Sequence, residues 1–272
     1  MRQASNPMEI YNLLEKTNCR KCNEKTCMAF AAAVFKGKRS LSECPYVDPE
    51  IAGAYNGNAR QEQSQSDSRQ DVNEAVEELR EKVKNTDFKE AARRLEAPYD
   101  EEKGRITIRV MGKDFSVDQN GRIYTQIHVN PWVTVPVFDY IVNAKGTSPT
   151  GEWIPLRELK EGRERAGLFE QRCVKPLKRI ADTYTDFFND MLDVFSGTQT
   201  ETKFDADIAV VLYPLPKAPI VICYWEPEEG MESNLQIFFD KCVEDNLSIH
   251  SVYTLGAGLV QMFEKFSLKH AS

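Results

Sequence analysis

The sequence predicts an α+β protein made of a small helical four-cysteine module, a flexible linker and a larger mixed α+β domain. Three observations predict it. Four cysteines crowd residues 19–44 between short segments with one apolar face. A tract rich in Gln, Ser, Asn and Gly follows, in which apolar residues nearly vanish. Beyond residue 98, strand-like and helix-like patterns succeed one another without the regular βαβ alternation of a parallel sheet. The boundaries read as a module at 1–50, a linker at 51–70, a helical lead-in at 71–97 and an α+β domain at 98–272.

In chain order, Asn6-Pro7 has the form of a helix start, with Asn6 as N-cap and Pro7 at the first helical position. Ile10, Leu13 and Leu14 give that helix its apolar face, and Thr17-Asn18 ends it. Cys27 opens a second helix, Met28 to Phe35, rich in strong helix formers and stopped by Gly37. After the linker, Val72, Ala75, Val76, Leu79 and Val83 recur at helical spacing. Asp87 is placed to cap a further helix through Leu95.

In the larger domain, Ile106 to Val110 alternates as a strand, Met111-Gly112 turns, and Phe115 and Val117 resume the alternation. Asn120-Gly121 is a tight-turn signal leading into Arg122 to His128. Trp132 to Val142 has helical spacing, and Trp153-Ile154-Pro155-Leu156 begins a short element. Residues 173–195 read as one long helix, burying Leu177, Ile180, Tyr184, Phe187, Phe188, Met191, Leu192 and Phe195. Asp207 to Leu215 and Ala218 to Trp225 are β-branched runs expected to form a buried hairpin. Helices are expected over Ser233 to Val243 and Gly256 to Phe266.

Composition narrows the function. The net charge of −7 argues against a general nucleic-acid binder, which needs a basic surface. Within that total, residues 1–44 carry eight Lys/Arg against four Asp/Glu, a local +4 that leaves −11 for the remainder. The start lacks the apolar run of a signal peptide, and no apolar stretch is long enough to span a bilayer, so the chain is expected to be cytoplasmic. An odd count of seven cysteines, four of them clustered, fits metal binding in a reducing compartment better than disulfides.

The chemistry is concentrated in Cys19, Cys22, Cys27 and Cys44, spaced C-x2-C-x4-C-x16-C. Four soft thiolates converging on one point can hold an iron–sulfur cluster. Cys19, Cys22 and Cys27 can wrap three corners of a cubane from one loop, with Cys44 returning for the fourth. A four-cysteine zinc site is the competing reading, although it usually comes as two separated C-x2-C pairs. A helix starting at Cys27 would direct its positive end toward an anionic cluster.

These residues also carry a resemblance. Pro7-x-x-Ile10-Tyr11-x-Leu13-Leu14, Lys16-Thr17-Asn18-Cys19, Cys22, Thr26-Cys27-x-Ala29-Phe30-Ala31 and Cys44-Pro45 resemble the four-cysteine [4Fe-4S] domain of the corrinoid/iron–sulfur protein large subunit. That protein takes part in acetyl-CoA synthesis and cleavage, and a similar domain occurs in the B subunit of the Rnf electron-transport complex. The resemblance covers about residues 6–47. It implies a low-potential [4Fe-4S] cluster on Cys19, Cys22, Cys27 and Cys44, electron transfer, and an anaerobic redox setting with a corrinoid-handling partner. Asn23 stands where a Gly is expected, and Asn tolerates the left-handed conformation better than most residues. The second half resembles an uncharacterised domain family found behind such modules, through Trp153 to Leu159 and Leu215 to Trp225.

Elsewhere the sequence offers little chemistry. His128, His250 and His270 have no ligand spacing, and Cys173, Cys223 and Cys242 read as core cysteines. Gly256-Ala257-Gly258, placed before a helix, lacks a full dinucleotide fingerprint, and Glu226, Glu228 and Glu229 read as a solvated loop. The D-x-H-x-x-G corrinoid signature is absent, with Gln126 two residues before His128, so no corrinoid is assigned to this chain. The leading expectation is a one-electron transfer or redox accessory protein. The alternatives are a cofactor- or substrate-binding domain holding a ligand such as a tetrapyrrole with Tyr124, Trp132 and Trp153, or a zinc-stabilised interaction module.

Overall fold

The computed structural model describes residues 7–35, 39–55, 73–184, 186–200 and 204–270, and these fall into two compact units, Met1–Asn73 and Glu74–Ser272. The fold class is α+β, as expected.

The first unit holds α1 (Pro7–Asn12), α2 (Cys27–Phe35), a 3-10 turn (Leu41–Glu43) and α3 (Pro49–Tyr55). α1 ends at Asn12, five residues before the expected stop, because the chain must turn early to enter the cysteine loop. Ile10, Leu14, Phe30, Ala31, Val34, Leu41, Val47 and Ala52 form its core. α3 corrects the linker reading, since residues 51–55 are helical and Ala52 is buried, while residues 56–70 lie outside the described residues. The Asn6 cap and the Gly37 stop also lie outside them.

The second unit begins with α4 (residues 73–84) and α5 (Phe88–Leu95). Asp87 caps α5 as expected, its carboxylate accepting from the Lys89 and Glu90 N–H groups at 2.9 and 3.2 Å. A four-stranded antiparallel meander follows: β1 (Tyr99–Asp100), β2 (Arg105–Val110), β3 (Lys113–Asp118) and β4 (Ile123–Thr125). Ile106, Ile108, Phe115 and Val117 are its buried face. Arg122 to His128 yields only the short β4, because Asp118 gathers the tight turn with its carboxylate on the Asn120 and Arg122 N–H groups. α6 (Pro131–Asn143) matches the expected helix.

A five-stranded antiparallel sheet forms the centre, in the order β5 (Trp153–Pro155), β9 (Asn234–Asp240), β8 (Ala218–Trp225), β7 (Ile208–Leu215), β6 (Thr198–Gln199). β7 and β8 are the expected buried hairpin. The expectation of a helix over Ser233 to Val243 is wrong. Leu235, Ile237 and Phe239 alternate toward one face with burial of 5% exposure or less, which is the period of a strand. β8, already committed to the sheet, offers the free edge with which they pair.

The single helix expected over 173–195 is also corrected. α7 (Arg163–Phe169) runs through a π-helical stretch (Glu170–Val174) into α8 (Lys175–Thr183), and α9 (Phe187–Asp193) starts after a break at Tyr184. Tyr184 is extended, and its hydroxyl bonds forward to the Asp190 carboxylate. After β9 come α10 (Val243–Asn246), preceded by Cys242 rather than containing it, and α11 (Ile249–His270). Gly256 and Gly258 therefore lie inside α11, not before it. A Cβ at Gly256 would stand 2.6 Å from the Phe169 ring, and one at Gly258 would stand 3.0 Å from Trp132, so the glycines admit α7 and α6 close to α11.

The loop 144–151 is fixed from β9 and α10. Buried Asp240 accepts from the Thr150 and Gly151 N–H groups at 2.9 and 2.6 Å and from the Cys242 N–H at 2.9 Å. Asn246 accepts from Gly146 and Thr147 N–H and donates to the Thr147 and Lys217 carbonyls. Among the described residues, no helix is long and apolar enough to cross a membrane.

Candidate metal centre

The cysteine loop is shaped by backbone conformations that ordinary side chains resist. Lys16, Asn18, Arg20 and Asn23 all have φ between 52° and 60°. Each such residue costs about 1 kcal/mol or more relative to right-handed backbone, and the combination persists only where the surroundings enforce it. Asn23 meets the expectation for the position where Gly would be usual, at φ 60°.

Asn18 is the clamp. Its side-chain oxygen accepts from the Cys27 N–H at 2.8 Å, and its own N–H donates to the Cys27 sulfur at 3.3 Å. Thr26 caps α2, its hydroxyl accepting from the Ala29 N–H at 3.0 Å. Cys27 is thereby held at the first turn of α2, at the positive end of the helix dipole. Sequence reasoning gave Asn18 only the ending of a helix; its role depends on a contact nine residues away and leaves no local signal.

Cys44 is placed by the 3-10 turn. Ser40 accepts from the Ser42 N–H, and the Glu43 carboxylate accepts from the Ser40 N–H at 2.8 Å. This capping box was legible as Ser40-x-x-Glu43 and was missed. The Ser40 N–H, with Arg39 beside it, holds the Glu43 carboxyl below its ordinary value against burial. The turn closes with the Cys44 N–H on the Leu41 carbonyl at 3.2 Å.

The four cysteines are not equivalent. Cys22, Cys27 and Cys44 are 8–9% exposed and belong to one core cluster, whereas Cys19 is exposed. The Lys21 N–H is the main cause that lowers the Cys19 thiol below its usual value; burial opposes it, and the Thr17 hydroxyl and the Lys21 charge add to it. Lys21 reaches across to the Tyr46 hydroxyl at 2.6 Å, joining the loop after Cys19 to the segment after Cys44. Among the described residues, no three Cys, His, Asp or Glu side chains converge as a site for a single metal ion. The donor set is nevertheless all sulfur, three of the four thiols share one dry core, and N–H groups address Cys19 and Cys27. That chemistry fits a thiolate-ligated iron–sulfur group.

The other named residues are not brought together. Tyr124 lies under the Arg105 guanidinium, 3.4 Å from ring centroid to cation; Trp132 packs at Gly258; and Trp153 packs on the sheet beside Val221, Cys223 and Phe238. Cys173, Cys223 and Cys242 are buried, and burial pushes the Cys173 and Cys242 thiols up. His128 is exposed and His250 half-buried.

Comparison with known proteins gives two separate results. Residues 14–46 match a family model described as "Putative Fe-S cluster". The same region is 53% identical over 40 residues to the acetyl-CoA decarbonylase/synthase complex subunit gamma of Methanothermobacter thermautotrophicus. It is 52% identical over 40 residues to the corrinoid/iron-sulfur protein large subunit of Moorella thermoacetica. Each match covers 15% of this chain and 9% of the relative, so the chain spans about a tenth of the length of these proteins. They support iron–sulfur binding by the first unit. No solved structure matches the chain. Residues 87–262, well over half of the chain, match the family model described as Domain of unknown function (DUF3786), and the chain belongs to that family.

Proposed function

We propose that this chain is a one-electron transfer or redox accessory protein that holds a [4Fe-4S] cluster on Cys19, Cys22, Cys27 and Cys44. The observation that carries the reading is the asymmetry of the four sulfurs. Three are sealed in one apolar core, and the fourth opens to solvent. When bound, such a cluster supplies single electrons at low potential. The chain's own residues do the rest. Asn18 and Lys21 present N–H groups to the sulfurs of Cys27 and Cys19, the latter holding the Cys19 thiol below its usual value, and the helical core of Ile10, Phe30 and Leu41 keeps water from the other side.

The relatives named for acetyl-CoA decarbonylase/synthase and for a corrinoid/iron–sulfur protein suggest a cytoplasmic, anaerobic one-carbon setting with a redox partner that handles a corrinoid. In this reading residues 1–50 form the cluster module, extended by α3. Residues 98–272, with the lead-in at 71–97, recognise the partner.

Anaerobic purification with iron, sulfide and zinc quantified tests the proposal. About four irons and four sulfides per chain are expected for a cubane, with an EPR signal after dithionite reduction that disappears in Cys19→Ala. Stoichiometric zinc without iron would overturn it.

A further inference from the structure

The cysteine loop bears four cations that meet no carboxylate among the described residues. Lys16, Arg20, Lys21 and Lys25 bracket Cys19 and Cys22 in sequence. Arg39, by contrast, is paired with Glu43 at 2.8 Å and with Glu24 at 3.8 Å. Among the described residues, Lys16 meets only the Asn12 side chain and the Tyr11 ring, Lys21 meets the Tyr46 hydroxyl and ring, and Arg20 and Lys25 meet no carboxylate. The one exposed cysteine thus lies in a run of exposed cations, beside the Lys21 charge that reaches to Tyr46, in a chain whose total charge is −7.

A basic surface is not needed to hold the fold here, because none of these four side chains enters the core. Part of their charge answers the thiolates of the site, and being exposed they present the rest at its open edge to a partner. Two of them, Lys16 and Arg20, are fixed at left-handed positions of a constrained loop, so part of the ordering cost of an interface is met before binding. Tyr46, 42% exposed, adds an aromatic contact of the kind enriched at interfaces.

We propose that the face around Cys19, formed by Lys16, Arg20, Lys21, Lys25 and Tyr46, is the docking surface for an acidic redox protein that presents a carboxylate patch. This deepens the function proposed above, since it names the kind of partner that meets the exposed edge of the site. Opposite charges steer the encounter and set its orientation, and salt screens them over a Debye length of about 10 Å at 0.1 M.

The test uses the full chain purified anaerobically, with an acidic bacterial ferredoxin as probe and binding followed by calorimetry. The dissociation constant is expected to rise about tenfold between 50 and 300 mM salt, as for other charge-steered complexes. Arg20→Glu with Lys25→Glu is expected to weaken binding at least about tenfold at 50 mM salt with iron content unchanged. Should that pair of changes disturb the loop and lower the iron content, the charge-removing Lys16→Gln with Lys25→Gln, which adds no carboxylate to the loop, is expected to weaken binding about threefold. Affinity independent of salt, or binding unaltered in an iron-replete variant, would overturn the proposal. Ferredoxin binding by a chain that holds zinc would leave the docking face standing and remove the electron-transfer reading, so the two fail separately.

Discussion

Cysteine is buried in both units of this protein, and its neighbours differ. In the first unit, Cys22, Cys27 and Cys44 stand among eight other buried core residues of those described, beside a loop with four left-handed positions before Cys27. In the second, Cys173, Cys223 and Cys242 are dispersed through a core that runs from Val76 to Phe263 and is closed by two sheets and a 22-residue helix. A core as small as the first rarely holds a fold without a metal, a disulfide or a partner. A core as large as the second needs none of these. On the proposed function the same side chain is a metal-bearing support in one place and a small apolar residue in the other.

The largest expected effect tests that contrast directly. Cys27→Ser in the full chain should abolish iron binding and unfold the first unit, since metal-held peptides of this size draw on the order of 10 kcal/mol from the metal. The second unit should melt at its original temperature. Far-UV circular dichroism and NMR of the Ile10 and Phe30 signals would check this; a first unit that stays folded without metal would break the comparison.

Asp240→Asn should do the reverse, sparing iron and weakening the second unit by about 2–4 kcal/mol through unsatisfied buried N–H groups. Burial alone would raise the Asp240 carboxyl, but the Thr150, Cys242 and Gly151 hydrogen bonds outweigh it and hold the value low. A depressed folded-state value stabilises above the ordinary carboxylate range and is lost as pH falls through the lower value. Acid unfolding below about pH 4 should accordingly involve this group, and the variant should show a flatter acid limb in a denaturant titration.

A glycine pair sharpens the claim that packing holds the second unit. Gly256→Ala drives a methyl group toward the buried Phe169 ring and should cost about 1–3 kcal/mol. Gly167→Ala, exposed on α7 with no atom within 4 Å of the new Cβ, should be neutral or stabilise by up to about 1 kcal/mol. Urea titrations of the two variants would check the sign of each.

Sequence legibility follows the same division. The β7–β8 hairpin could be read because both strands are apolar on both faces, and the Asp87 cap because its partners are two and three residues away. β9 could not, because Leu235-Gln236-Ile237-Phe238-Phe239 satisfies helical and strand periods over so short a run, and only pairing with β8 decides between them. The break at Tyr184 was hidden because its bond to Asp190 replaces helix continuity without Gly or Pro. The cysteine spacing announced the candidate site and its donor type, while the clamp by Asn18 and the outward turn of Cys19 are tertiary facts.

The smallest expected effect concerns the three cysteines of the second unit. Cys173→Ala and Cys223→Ala should each cost about 1 kcal/mol, a modest cavity in a large core. Neither should change iron content. In the chain freed of metal, iodoacetamide should modify Cys19, Cys22, Cys27 and Cys44 before any cysteine of the second unit, because the first unit loses its fold with the metal. Cys173 and Cys242, raised by burial, should react only on the time scale of unfolding. Mass-spectrometric mapping of alkylation against time would give the order. Early labelling of Cys173 would mean that the second core opens as readily as the cysteine loop. The contrast between a metal-supported unit and a self-supporting one would then fail at the level of dynamics even if every equilibrium measurement upheld it.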